Sequence, residues 1–213
     1  MKIRSAGITM NYIKKGSRNM SKIILSSCDF RNSESAKNIY DNLPLPVHQC
    51  KVLYFPNEKA TDEAIRSRKF HHRLSEFGFT QENIHVFNYF SSDEFNKNTP
   101  IDVIYISGGN TFGTLKRIKE AKADTIIRDY VSQGTTYIGG SAGAHIASRS
   151  IQHTARYDID TFGLTDFSGL NLYDGILICH YSESREKDYR ELIEKGEQNI
   201  LLLRDQDSFV LNR

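Results

Sequence analysis

The residues best suited to chemistry in this chain lie at Gly139-Gly140-Ser141-Ala142-Gly143, which sets one serine among small neighbours in the pattern Gly-x-Ser-x-Gly. The segment follows the apolar run Thr135–Ile138 and precedes the helix-like start Ala144-His145-Ile146-Ala147. A nucleophile at a strand–turn–helix tip adopts a strained backbone, and the chain can fold back there only if the flanking residues are almost free of side chain. At a helix N-terminus, Ser141 would also have backbone N–H groups and the positive end of the dipole facing a developing oxyanion. A glycine turn that only closes a strand, or a phosphate cradle, would use the same glycines. The bracketing of a single serine favours the nucleophile.

A second glycine turn, Ser107-Gly108-Gly109-Asn110-Thr111, follows the apolar run Val103–Ile106. A flexible Gly108-Gly109 pair can present a backbone N–H to an oxyanion, complementing the N–H of Ala142. The plainer reading is a strand-to-helix turn in which Asn110 or Thr111 caps the next helix.

A serine hydroxyl needs a base within hydrogen-bond reach. His71 and His72 fall on a polar helical stretch, His48 and His85 border outer strands, and His153 sits in a polar loop, so a solvated surface role is expected for these. His145 follows Ser141 by four residues, on a helix that carries its side chain away from the hydroxyl. His180 differs. It ends the apolar run Gly175–Cys179, so it emerges at a strand terminus and is the expected base. With the acid between serine and histidine, as in one common α/β arrangement, Asp158 and Asp160 are the candidates to orient the imidazole. Asp166 and Asp174 flank the next turn and strand, and Asp158 is preferred.

These residues need a sheet to hold them. Short apolar runs at Ile23–Ser26, Lys51–Phe55, Ile84–Phe87, Val103–Ile106, Thr135–Ile138, Gly175–Cys179 and Ile200–Leu203 alternate with amphipathic stretches. That alternation predicts βα units winding a largely parallel sheet in a three-layer α/β domain, with function at the carboxyl ends of the strands. Helices are expected from about Ser33, from Thr61 to Gly78, around Ile126–Val131, and around Ser184–Lys195. Met20 stands just before the first strand, so the domain is read as 20–213 and residues 1–19 as an extension.

Taken together, Gly108-Gly109-Asn110-Thr111-Phe112 with Leu115, the elbow Gly140-Ser141-Ala142-Gly143-Ala144, and His180-Tyr181 at a strand end resemble the peptidase E and cyanophycinase family of serine peptidases. The resemblance covers roughly Met20 to Leu211 and implies a class I glutamine amidotransferase-like, flavodoxin-like fold with serine in the place of cysteine. It further implies Ser141 as nucleophile, His180 as base, N–H groups of Gly109 and Ala142 as the oxyanion hole, and a triad aspartate at Asp158, given a small local insertion. Asn110 and Arg185 are the substrate-binding residues it suggests, although Arg185 lies closer to His180 than in the family, and Cys179 stands where aspartyl dipeptidases have proline.

The implied activity is a serine peptidase acting on short peptides, with no metal or organic cofactor. An esterase, or a catalytically silent ligand-binding relative of the same fold, would share the elbow. The chain has 213 residues, 28 Lys+Arg against 26 Asp+Glu, and a formal net charge of +2. That length suits a packed core and excludes a disordered tail protein. The scattered charges call for neither a nucleic-acid partner nor an anionic membrane. Cys28, Cys50 and Cys179 cannot all pair, lack zinc-knuckle spacing, and fit a reducing, cytoplasmic setting. No run approaches the ~18 apolar residues of a membrane span. By analogy the fold admits a homodimer through an outer helix.

Overall fold

A computed structural model describes residues 20–213. The extension expected over 1–19 lies outside the described residues. The strands are β1 (Lys22–Ser26), β2 (Val52–Phe55), β3 (Ile84–Val86), β4 (Val103–Ile106), β5 (Thr136–Gly140), β6 (Ile176–Ile178), β7 (Ile200–Leu202) and β8 (Ser208–Asn212). The α-helices are α1 (Ser33–Asn42), α2 (Asp62–Arg66), α3 (Lys69–Glu76), α4 (Thr111–Glu120), α5 (Ala123–Ser132), α6 (Ala142–Ala147) and α7 (Glu186–Glu194).

Six strands form the main sheet in the order β3-β2-β4-β5-β1-β8, all parallel except β8, which runs antiparallel to β1. The expected three-layer, largely parallel α/β architecture is therefore present. Two features differ from expectation. β6 and β7 pair with each other as a separate parallel ribbon, and β8 had no counterpart in the sequence reading. The stretch expected as one helix from Thr61 is two, since α2 ends at Ser67 in extended conformation before α3 begins.

Strand residues alternate between two buried faces, as a parallel sheet covered on both sides requires. Ile23, Leu25, Leu53, Phe55, Ile104 and Ile106 pack towards α4, α5 and α6. Ile24, Val52, Tyr54, Val103, Tyr105 and Ile138 pack towards α1, α2 and α3. Helix α7 closes its own small core with Ile176, Ile178 and Leu192 against the ribbon.

β4, β5 and β1 are adjacent, and their register pairs Ile106 with Gly139 and Ser26 with Gly140. The two glycine turns and the segment after β1 thus open at one rim of the sheet. β6 and β7 deliver their own carboxyl ends to the same place.

Candidate active site

Ser141 sits at the junction of β5 and α6 with φ 48° and ψ −104°, a backbone conformation that L-residues adopt rarely and that persists only where the surroundings enforce it. The enforcement is visible. The Ser141 N–H donates to the Ser26 carbonyl at 2.7 Å, tying the turn to β1. A Cβ on Gly143 would overlap the Ile106 carbonyl, and one on Gly140 would overlap the Asp29 carboxylate. Tyr137 Oη donates to the Gly143 carbonyl at 2.6 Å from within the core. Asp29 itself is fully buried beneath the elbow, where it accepts from Tyr105 Oη at 2.9 Å and from Arg31 Nε at 2.9 Å.

Beside the elbow, Gly108 comes so close that an added Cβ would lie 3.3 Å from Ser141 Cβ. Asn57 Nδ2 donates to the Gly108 carbonyl at 3.1 Å and fixes this turn from β2's end. The N–H groups of Gly109 and Ala142 have no acceptor among the described residues. They are the pair expected to serve an oxyanion.

His180 ends the β6 segment with φ 53°. Its Nε2 lies 3.0 Å from Ser141 Oγ, and its Nδ1 lies 2.6 Å from Asp205 Oδ1. The hydrogen bond from His180 holds the Asp205 carboxyl below its ordinary range. Asp205 comes from the turn between β7 and β8, a position the sequence reading did not consider. Both imidazole nitrogens are therefore engaged, and the acid on Nδ1 is Asp205 instead of Asp158.

His180 is set by the join between the two sheets. Ser27, fully buried just after β1, accepts from the His180 N–H at 3.0 Å and donates to the Leu203 carbonyl at 2.8 Å. One hydroxyl from the main sheet thus clamps the ends of β6 and β7.

The sequence profile of Peptidase family S51 matches residues 23–212. The chain belongs to this family. An uncharacterized peptidase of Listeria monocytogenes is 37% identical over 94 residues, which is 43% of this chain and 46% of that protein. Peptidase E of Pasteurella multocida is 40% identical over 101 residues, 43% of this chain and 42% of that protein. These matches span less than half the length of the relatives. A crystal structure of a candidate peptidase E protein from Listeria monocytogenes EGD-e superposes with a TM-score of 0.69 at 21% identity, covering 91% of this chain and 95% of that one. A peptidase from an acI-B1 actinobacterium gives 0.54 at 14% identity over 91% and 84%. The two structures establish the shared fold.

Within this S51 framework the remaining expected residues each contact groups of the protein itself. Asp158 Oδ2 accepts from the Thr111 N–H at 2.9 Å and from Thr111 Oγ1 at 2.5 Å, so it holds the N-terminus of α4. Asp205 follows His180 in the chain, outside the segment between serine and histidine to which Asp158 and Asp160 belong. Asp160 accepts from the N–H groups of Phe162 and Leu164 within its own loop. Asn110 is the N-cap of α4: its Oδ1 accepts from the Gly113 N–H at 3.0 Å while its Nδ2 donates to the Ile159 carbonyl, so the side chain is engaged at both ends by the protein itself. Arg185 donates to the Cys179 carbonyl at 2.8 Å and stacks 3.9 Å above the Tyr157 ring. It supports the backbone behind His180 through one of its guanidinium donors.

His153, expected at the surface, is buried, with its Nε2 2.7 Å from the Leu177 carbonyl. His145 is buried too and faces Tyr157 Oη at 3.1 Å, away from Ser141, as its helix position predicted. Burial pushes its pKa well below the ordinary histidine value. Burial also pushes the Cys179 thiol up to about 12, so a neutral thiol lies under the base. Among the described residues, no helix is long and apolar enough to cross a membrane.

Proposed function

We propose that the chain is a serine peptidase that hydrolyses short peptides through an acyl-enzyme. The observation that carries this reading is the continuous hydrogen-bonded line from Asp205 through His180 to Ser141, beside two backbone N–H groups that have no acceptor among the described residues. The Ser141 hydroxyl would donate to His180 Nε2 and pass its proton there as Oγ attacks the scissile carbonyl. The oxyanion would be received by the N–H groups of Gly109 and Ala142, each such donor being worth about 2.7–4 kcal/mol of transition-state stabilisation. The imidazolium would be stabilised by Asp205 through Nδ1–H and would return its proton to the leaving amine. A water deprotonated by the same Nε2 would then release the acyl group.

A fluorophosphonate probe tests this directly. The wild-type chain should be labelled on Ser141, and Ser141→Ala should take no label while keeping its circular dichroism spectrum. Turnover of a dipeptide panel should fall by about 10⁴-fold or more in that variant. Absence of labelling in the folded wild-type protein would instead support the ligand-binding reading.

A further inference from the structure

Cys50 and Cys179 are fully buried, and their thiols point at the carbonyls of Leu45 and Ser141. Cys28 is different. It follows β1 immediately after the clamp residue Ser27 and is only half-buried. The donor atoms of Cys28, His180 and Asp205 all lie within 4.8 Å of one another. The proposed reaction gives the thiol no task.

We propose that Cys28, His180 and Asp205 form a site for a thiophilic divalent cation of the Zn²⁺ type, and that its occupancy switches the serine centre off. Sulfur, imidazole nitrogen and carboxylate oxygen are the three donor types that Zn²⁺ takes, at about 2.3, 2.0–2.1 and 2.0–2.2 Å, in tetrahedral sites where a fourth position goes to water. Donors around such an ion stand roughly 3.3–3.8 Å apart. The three donors here need only small side-chain movements to reach that spacing, chiefly an opening of the 2.6 Å His180–Asp205 contact. The ion has a route from solvent, since the Asp205 side chain is 63% exposed and borders a groove lined by Tyr181, Glu183 and Gln206.

Inhibition follows from the tautomer. In the resting site Nδ1 carries a proton towards Asp205 and Nε2 offers its lone pair to Ser141. Metal ligands must be deprotonated. On binding, the thiol proton leaves to solvent and the Nδ1 proton is replaced by the metal, with the ring neutral and its proton now on Nε2. The net change is one proton released per ion. A protonated Nε2 donates to Ser141 Oγ and cannot accept from it, so the base is lost although the ring has hardly moved. The ion also draws off the Asp205 charge that would stabilise an imidazolium. The peptidase steps proposed above are carried by Ser141, His180 and Asp205 without a metal ion.

The inhibitory half of this proposal rests on Ser141 and His180 acting as proposed above; the binding half does not. Metal-free protein is dialysed against micromolar ZnCl₂ and the bound metal counted, and Co²⁺ is added as a spectroscopic substitute. One ion per chain is expected, with a near-ultraviolet thiolate-to-cobalt charge-transfer band. The band should persist in Ser141→Ala and vanish in Cys28→Ser. Zn²⁺ should block peptide turnover reversibly on addition of EDTA, and Cys28→Ser should need about tenfold more Zn²⁺ or more for the same block. No bound metal in the folded wild-type chain, or a band that survives in Cys28→Ser, would overturn the site. Turnover by the metal-free protein with no metal binding would sink this proposal alone, whereas metal binding by a chain that shows no turnover when metal-free would sink the peptidase reading and the inhibitory half with it, leaving the cation site standing.

Discussion

The two nitrogens of His180 define different demands, one for a hydroxyl to deprotonate and one for an acid to hold the ring. Ser141 and Asp205 meet them at 3.0 and 2.6 Å. Substituting the two aspartates separates catalytic from structural roles. Asp205→Asn should lower kcat by about 10³–10⁴-fold with little change in melting temperature, because the amide cannot hold the needed tautomer and its position is largely solvent-exposed. Asp158→Ala removes the acceptor of the Thr111 N–H and hydroxyl at the first turn of α4 and should cost about 0.5–2 kcal/mol of stability while kcat stays within tenfold. Steady-state kinetics beside urea denaturation of both variants would decide the assignment, and the reverse pattern would restore Asp158. Ser141 was legible from sequence because the elbow's steric demand is local and leaves a glycine signature. His180 was legible because it ends an apolar run. Asp205 was not, since what makes it an acid for His180 is the pairing of β6 with β7, a contact without local pattern.

At the scale of elements, the site depends on how the β6–β7 ribbon is held against the main sheet. Ser27 is the join, with partners on both ribbon strands and full burial. Ser27→Ala leaves the His180 N–H without its acceptor, while the Leu203 carbonyl keeps the Tyr181 N–H at 2.9 Å, and one such unsatisfied buried group typically costs about 1–3 kcal/mol. His180 should then lose its fixed distance to Ser141. A fall in kcat of about 10–100-fold with KM nearly unchanged is expected, read by the same kinetics, as a misplaced base affects the transition state more than binding. Unchanged kcat would mean that Arg185, through the Cys179 carbonyl, is enough to hold the ribbon end. The strand candidates show the same division between local and distant causes. The parallel strands were readable because burial on both faces makes them continuous apolar runs. β8 was missed because it is an edge strand with partly exposed residues, recruited only by the free side of β1. The break between α2 and α3 escaped notice because Ser67-Arg68 carries neither glycine nor proline.

Across the whole molecule, the packing behind the site makes stability depend on pH in a window set by histidines that catalysis does not use. His145 and His153 are 3% and 9% exposed, and their rings lie 5.7 Å apart, edge to face. Burial depresses both pKa values from the ordinary 6.5, and for His145 the neighbouring His153, Arg185 and His180 act in the same direction. Well above that value both rings are neutral whether the chain is folded or not, and they add no pH dependence. As pH falls through it, the unfolded chain takes up protons that the folded chain refuses, so stability declines. For a site whose folded pKa lies well below the window, the loss between about pH 7.5 and about pH 5.5 is about 1.4 kcal/mol. The carboxyls with depressed values, Asp205 and Glu191 among them, contribute stability that is lost only as pH falls below the ordinary carboxyl range near 3.8–4.5, outside this window. Urea denaturation of Ser141→Ala, chosen to avoid self-digestion, should therefore show a falling midpoint from about pH 7.5 to about pH 5.5. Adding His145→Gln should flatten that slope by about 1.4 kcal/mol while lowering stability at the upper pH, where the lost packing against Tyr157 and His153 dominates. An undiminished slope in the double variant would show that His145 is solvated in the folded chain and that the acid sensitivity arises elsewhere.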